Sequence, residues 1–188
     1  QALYDDVEMS RLCAITKIDK WFISKIKEIV ELECELKNSV IDKELYLKAK
    51  QFGFLDDEIK ALSNISQSDI DNFALSAAFR LVDTCAAEFS ATTPYFYSTW
   101  DEVDEVQEYK YEHQKKNKQK QENIIVLGSG PIRIGQGIEF DYCSVHASLE
   151  LIRQGYESVM VNSNPETLST DFDIATRLYF EPMNIEYI

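Results

Sequence analysis

Apolar residues in the first part of the chain recur at a helical period. Ile15, Ile18, Phe22, Ile26, Ile29 and Val30 fall about every three to four positions, with Lys17, Lys20, Lys25, Lys27 and Glu28 between them. Thr16 and Asp19 are each placed to cap that helix. Leu45, Leu47, Ala49 and Phe52 predict a second helix, and Gly53 stands where a left-handed C-terminal cap would fall. Asp56 and Asp57 open a short third turn carrying Ile59 and Leu62. Ser66 followed by Asp69 is a capping-box start with Asp in place of Glu, and Ile70, Phe73 and Leu75 come after it. Glycines and β-rich runs are scarce here. The pattern predicts a compact all-α unit over residues 1–100.

The last part of that span differs in character. Residues 83–88 are small or polar, and the aromatic cluster Tyr95, Phe96, Tyr97 and Trp100 follows. This predicts extended or irregular chain packed on a surface, with the rings filling a core. Residues 101–122 are strongly polar, acidic up to Glu108 and then rich in Lys and amides around Lys115, Lys116, Lys118 and Lys120. Such a run reads as a solvated linker. A nucleic-acid recognition tail would interleave aromatics, which the basic run 115–121 lacks.

From Asn123 the period changes again. Ile124, Ile125, Val126 and Leu127 form a short apolar run suited to a buried parallel strand. A glycine-rich loop occupies 128–137. Val145, Leu149 and Ile152 mark a helix from Phe140 to Arg153, ended by Gly155. Residues 158–161 predict a second strand and 177–180 a third. Strand, helix and strand at this length make a parallel, right-handed crossover over residues 123–188. The fold class expected is therefore an all-α helical domain followed by the first β-α-β part of an α/β, Rossmann-like parallel sheet. Two or three strands are too few to finish such a sheet, so the chain reads as a piece of a larger protein.

Composition narrows the function classes. The chain has 188 residues, 45% hydrophobic and 28% charged, which suits a packed protein. Its net charge of −14 would repel phosphate, so a nucleic-acid partner is not expected. No apolar run approaches the roughly eighteen residues a membrane helix needs, so no membrane partner is expected either. Cys13, Cys34, Cys85 and Cys143 form no close pair, and His113 and His146 do not join them in a zinc-type spacing. Reduced thiols, no metal site and a cytoplasmic location are the expectation. The chain opens on Gln1 without a signal-peptide pattern.

The glycine-rich loop carries the candidate chemistry. It leaves the carboxyl end of a strand, where open parallel sheets bind ligands. A dinucleotide fingerprint is absent: Arg133 occupies its third glycine position, and the second strand runs into Asn162, Ser163 and Asn164 without an acid for a ribose hydroxyl. No Gly-Lys-Ser/Thr follows, so it is not a Walker loop. Gly128, Gly130, Arg133, Gly135, Gln136, Asn162, Asn164 and Thr167 form a candidate ligand-facing loop set. Glu139 and Asp141 stand at the helix start, where acids suit the dipole. An ion pair, a cap and a turn would account for the same residues. Cys143 and His146 lie three apart on the helix; as a nucleophile pair they would need an orienting partner and a cleft, and packed helix residues are the simpler reading.

Longer motifs add a resemblance. Gly128-Ser129-Gly130-Pro131-Ile132-Arg133-Ile134-Gly135-Gln136-Gly137-Ile138-Glu139-Phe140-Asp141-Tyr142-Cys143 resembles the loop that opens the second synthetase half of the carbamoyl phosphate synthetase large subunits. Asn162-Ser163-Asn164-Pro165-Glu166-Thr167-Leu168-Ser169-Thr170-Asp171 is similar to the signature after the next strand of that family. Val82-Asp83-Thr84-Cys85-Ala86-Ala87-Glu88-Phe89 with Tyr97-Ser98-Thr99 resembles the end of its helical domain, and Ile18-Asp19-Lys20-Trp21-Phe22 the opening helix of that domain.

The resemblance implies a helical oligomerisation domain up to about Trp100 and, from about Asn123, the start of a pre-ATP-grasp subdomain. It implies a ligase that makes carbamoyl phosphate from bicarbonate, ATP and ammonia, the ammonia usually from glutamine, for pyrimidine or arginine synthesis. Carbamate would travel along an interior passage, with Gly137 and Glu139 as wall positions. ATP with Mg2+ or Mn2+ and K+ would be held by domains outside this chain, so this piece alone would bind no cofactor and holds no catalytic residue. Implied partners are the remaining synthetase domains, a glutaminase subunit or domain, and further copies of the chain. The stretch 112–122 is longer and more polar than the short link expected in the family. Two other readings stay open: a non-catalytic self-association module, and another ligase of the pre-ATP-grasp lineage such as a biotin-dependent carboxylase. The stretch 82–89 speaks against the carboxylase, because that helical domain is special to the synthetase.

Overall fold

The computed structural model describes residues 1–89, 93–100, 103–106, 109, 122–130 and 141–188. The chain divides into two compact units, Gln1–Leu75 and Ser76–Ile188. Among the described residues, no helix is long and apolar enough to cross a membrane.

The first unit holds α1 (Met9–Thr16), α2 (Lys20–Asn38), α3 (Lys43–Gln51), α4 (Asp56–Leu62) and α5 (Gln67–Phe73). The break between α1 and α2 falls at Lys17, whose φ of 58° ends the first helix, and Asp19 accepts the Trp21 N–H at 2.8 Å to start the second. Of the two caps read from the sequence, Asp19 therefore caps α2, while Thr16 turns its hydroxyl back to the Leu12 carbonyl at 2.8 Å. Asp42 caps α3 through Leu45 N–H at 2.8 Å, and Gly53 follows α3 with φ +86°. Ser66 and Asp69 form the reciprocal capping box, both backbone donors bonded at 3.2 Å.

The core of this unit is Leu32, Leu36, Leu45, Tyr46, Ala49, Ile59 and Ile70. Lys50 is buried with it, its ammonium 2.9 Å from Asp56 Oδ1, and the Tyr46 hydroxyl donates to the same oxygen at 2.6 Å. Burial, followed by the hydrogen bond to Asp56, pushes the Tyr46 hydroxyl well above the usual phenol range. The stripe that announced α2, comprising Ile18, Phe22, Ile26 and Ile29, is not part of this core: all four residues are exposed, as is Trp21. Leu32 and Leu36 of α2 face inward instead.

The second unit is built on a five-stranded sheet in the order β1-β2-β5-β4-β3. Its strands are β1 (Ala78–Leu81), β2 (Tyr95–Thr99), β3 (Asn123–Leu127), β4 (Glu157–Asn162) and β5 (Arg177–Phe180), and α6 (Tyr142–Arg153) crosses from β3 to β4. Pairing is parallel except between β1 and β2. The expected β-α-β unit is thus β3, α6 and β4, with β5 beside β4, but the buried strand expected at 124–127 is the edge strand β3, and Ile125 and Leu127 are exposed. The segment 78–99, placed by the sequence pattern with the helical half, supplies two strands to this sheet. Its alternating aromatics pair across strands: Phe79 and Phe96 each lie 5.3 Å from Tyr179.

The charge pattern predicted solvated chain from residue 101. Most of that stretch lies outside the described residues. Within it, Val106 is nonetheless buried and Tyr109 meets Phe96 edge-to-face, ring centres 5.2 Å apart. Val103, Val106 and Tyr109 are spaced by three, so an acidic run can still present one apolar side. Glu105 fastens this segment to β1, accepting from Arg80 at 3.0 Å and from Leu81 N–H at 2.6 Å.

α6 packs on one face of the sheet through Val145 and Ser148. The Ser148 hydroxyl lies 2.7 Å from Ser158 Oγ and donates to the Ile174 carbonyl at 2.6 Å. At the amino ends of the strands, Arg177 of β5 donates to Asn123 of β3 at 2.6 Å and to Glu157 of β4 at 3.1 Å. One guanidinium therefore ties three strand starts together.

Candidate functional site

The carboxyl ends of β3 and β4 gather the described members of the candidate set. Gly128 leaves β3 with its N–H bonded to the Val161 carbonyl at 2.8 Å. The Asn162 side chain fills the space beside it: a Cβ on Gly128 would sit 2.5 Å from Asn162 Nδ2 and 2.6 Å from Cγ. Gly130 has φ +71°, and a Cβ there would meet Met183 at 3.2 Å. Both glycines admit protein side chains against the backbone.

Asn162 is fully buried and connects several strands of this edge. Its Nδ2 donates to Ser169 Oγ at 3.1 Å, its Oδ1 accepts the Asn164 N–H at 3.3 Å, and its carbonyl accepts the Glu181 N–H at 3.3 Å. Asn164 in turn accepts the Glu166 N–H at 3.0 Å, which shapes the turn around Pro165. Thr167 donates its hydroxyl to Asp141 at 2.7 Å. Asn162, Asn164 and Thr167 are thus brought together, and the polar contacts found for them are with other residues of the same edge. Arg133, Gly135, Gln136, Gly137 and Glu139 lie outside the described residues.

Two buried carboxylates border this edge. Asp141 stands immediately before α6 but makes no cap bond to that helix. Its Oδ2 accepts from Thr167 and from Ser169 N–H at 2.5 Å, and its Oδ1 is buried with no donor among the described residues. The cap reading of Asp141 gives way to this cross-link, because two donors on a neighbouring loop lie within its reach. Glu181 follows β5, is 3% exposed, and accepts from Ser98 N–H at 2.5 Å and Ser98 Oγ at 2.7 Å. Burial pushes the Glu181 carboxyl above the usual carboxylate value, and the Ser98 donors pull it partly back. Ser169 and Ser98 appear in the sequence only inside longer family-like motifs, and Glu181 was not singled out; its one signal was its position just past the carboxyl end of the strand expected at 177–180.

Cys143 and His146 are both exposed on α6, and His146 stacks on Tyr142 at 4.0 Å. Among the described residues, no three His, Cys, Asp or Glu side chains converge as metal ligands. Asn162 and Met183 fill the space beside Gly128 and Gly130, so the described residues do not form a phosphate cradle.

Comparison with known proteins gives the family. Residues 1–78 match the carbamoyl-phosphate synthetase large chain oligomerisation domain, and residues 120–188 match the carbamoyl phosphate synthase preATP-grasp domain. The chain is 48% identical over 191 residues to the carbamoyl phosphate synthase large chain of Agathobacter rectalis, covering 99% of this chain and 17% of that one. It is 51% identical over 177 residues to that of Lachnoclostridium phytofermentans, with 92% and 16% covered. The large chain of Methanothermobacter thermautotrophicus is 44% identical over 190 residues, with 98% and 17% covered. The chain therefore spans about a sixth of the length of these relatives. Two domain matches in the family's order, with relatives aligned across nearly the whole chain, establish that it belongs to the carbamoyl phosphate synthase large-chain family.

Proposed function

We propose that this chain acts within an ATP-dependent carbon–nitrogen ligase that makes carbamoyl phosphate from bicarbonate and ammonia, with glutamine as the usual ammonia source. The product would feed pyrimidine or arginine synthesis. ATP, Mg2+ or Mn2+ and K+ would be bound by domains outside this chain, and a glutaminase would supply the nitrogen. The observation that carries this reading is the pairing of the two family matches with a parallel sheet whose glycine-bearing loop leaves the carboxyl end of β3.

In this reading the polar edge at 128–130 and 162–171 borders the passage along which carbamate travels. Gly137 would keep the bore open and Glu139 would present a polar wall. In the complete enzyme, Gly137→Phe should abolish coupled carbamoyl phosphate synthesis while bicarbonate-dependent ATP hydrolysis continues. Undiminished coupled synthesis by that variant defeats the passage assignment.

The helical unit would supply self-association. Its exposed row of Ile18, Trp21, Phe22, Ile26 and Ile29 supports this, since contiguous apolar patches mark interaction surfaces. Sedimentation should show a dimer or larger species that Phe22→Lys with Ile26→Glu converts to monomer. A monomer before substitution contradicts the assignment.

A further inference from the structure

Asp141 is fully buried, yet no ion pair to it is formed among the described residues. Its Oδ2 takes two hydrogen bonds, from Thr167 Oγ1 at 2.7 Å and Ser169 N–H at 2.5 Å, while Oδ1 is buried with no donor among the described residues. A buried carboxyl group costs desolvation unless its hydrogen bonds are made, so it is a poor device for stability alone. What a carboxylate adds is direction, since two donors must aim at one oxygen.

The two donors belong to the loop that follows β4. From Ser169 the chain of bonds runs to Asn162 at 3.1 Å, and the Asn162 side chain rests where Gly128 has no Cβ. From Asn162 it runs to Asn164 N–H and then to the turn at Glu166. Asp141 is therefore the point at which α6 holds the 162–171 loop against the glycine-bearing end of β3.

We propose that Asp141 is a positioning residue for coupled synthesis, fixing the 162–171 loop at the edge of the sheet. The proposal rests on the reading that this edge borders the passage. Asp141→Asn keeps a carbonyl oxygen that can accept both hydrogen bonds, whereas Asp141→Leu keeps the bulk and removes the acceptor.

The test uses the complete large chain with its glutaminase partner. In Asp141→Leu, carbamoyl phosphate formed per ATP hydrolysed should fall roughly 10- to 100-fold, with bicarbonate-dependent ATP hydrolysis within about twofold of the unmodified enzyme. Asp141→Asn should restore most of the coupling. Amide exchange at Ser169 and Thr170 should quicken in Asp141→Leu and stay slow in Asp141→Asn.

Unchanged exchange in Asp141→Leu overturns the proposal, and so does a parallel loss of both activities, which would mark a purely structural residue. If Asp141→Leu couples normally while Gly137→Phe does not, the positioning role alone is overturned. If both variants couple normally, the passage reading has failed and takes the proposal with it.

Discussion

Replacing Gly128 by alanine should destabilise the sheet-bearing unit by about 3 kcal/mol, from overpacking and from displacing a buried polar group. The new Cβ would lie 2.5 Å from Asn162 Nδ2, 2.6 Å from its Cγ and 2.9 Å from its Cβ. Asn162 is fully buried and held by Ser169 and Asn164, so it can yield only by giving up those bonds. Gly155 provides the contrast. Nothing lies within 4 Å of a Cβ there, so its alanine variant bears only the cost of φ +88°, roughly 1–2 kcal/mol. Trp100 lies in the sheet-bearing unit and Trp21 in the helical one, so a Trp21→Phe background isolates the sheet signal in urea unfolding. A midpoint for Gly128→Ala no lower than that for Gly155→Ala would show that the Asn162 contact is not the constraint.

Ile59→Ala should cost the helical unit about 2–5 kcal/mol. Ile59 is fully buried in α4 and belongs to the cluster that Leu32 and Leu36 of α2 share with Leu45 and Ala49 of α3 and Ile70 of α5. Truncating it leaves a void bordered by several helices, which cannot all close on it together. Ile26→Ala, on the same unit but exposed, should change the unfolding free energy by no more than about 0.5 kcal/mol when both variants are compared in a Phe22→Lys background that removes association. Trp21 fluorescence in a Trp100→Phe background reads both variants. Equal losses from the two substitutions would mean that α2 buries the stripe and not the opposite face.

The sequence was informative where local chemistry decides the outcome. The capping box at Ser66 and Asp69, the left-handed Gly53 and the strands around Ile125 and Val159 all depend on neighbours within a few residues. It was less informative about which apolar face points inward. Ile18, Phe22, Ile26 and Ile29 recur at the helical period but are exposed, because periodicity identifies a stripe without naming what covers it. The aromatics at 95–97 were ambiguous for a related reason. A short run of this kind becomes a strand only when an edge is available to pair with, and β5 provides that edge some eighty residues later.

The candidate site divides in the same way. Gly128, Gly130, Asn162, Asn164 and Thr167 could be selected from a glycine-rich loop and a polar turn after predicted strands. That Asp141 would bond across to Thr167 and Ser169 could not, since the contact closes a loop of 26 residues in one case and 28 in the other.

By itself the sequence determined the helical character of the first part, the parallel crossover of the last, and the family to which both belong. Only the tertiary structure decided that Ala78–Leu81 and Tyr95–Thr99 join the sheet, that Asn162 occupies the space left by Gly128, and that Asp141 serves the following loop and not its own helix. Hydrogen-bond periodicity and capping act over one turn of chain and can be read along it, whereas strand partners and buried carboxylate donors are chosen in space, by whichever groups the fold brings within about 3 Å.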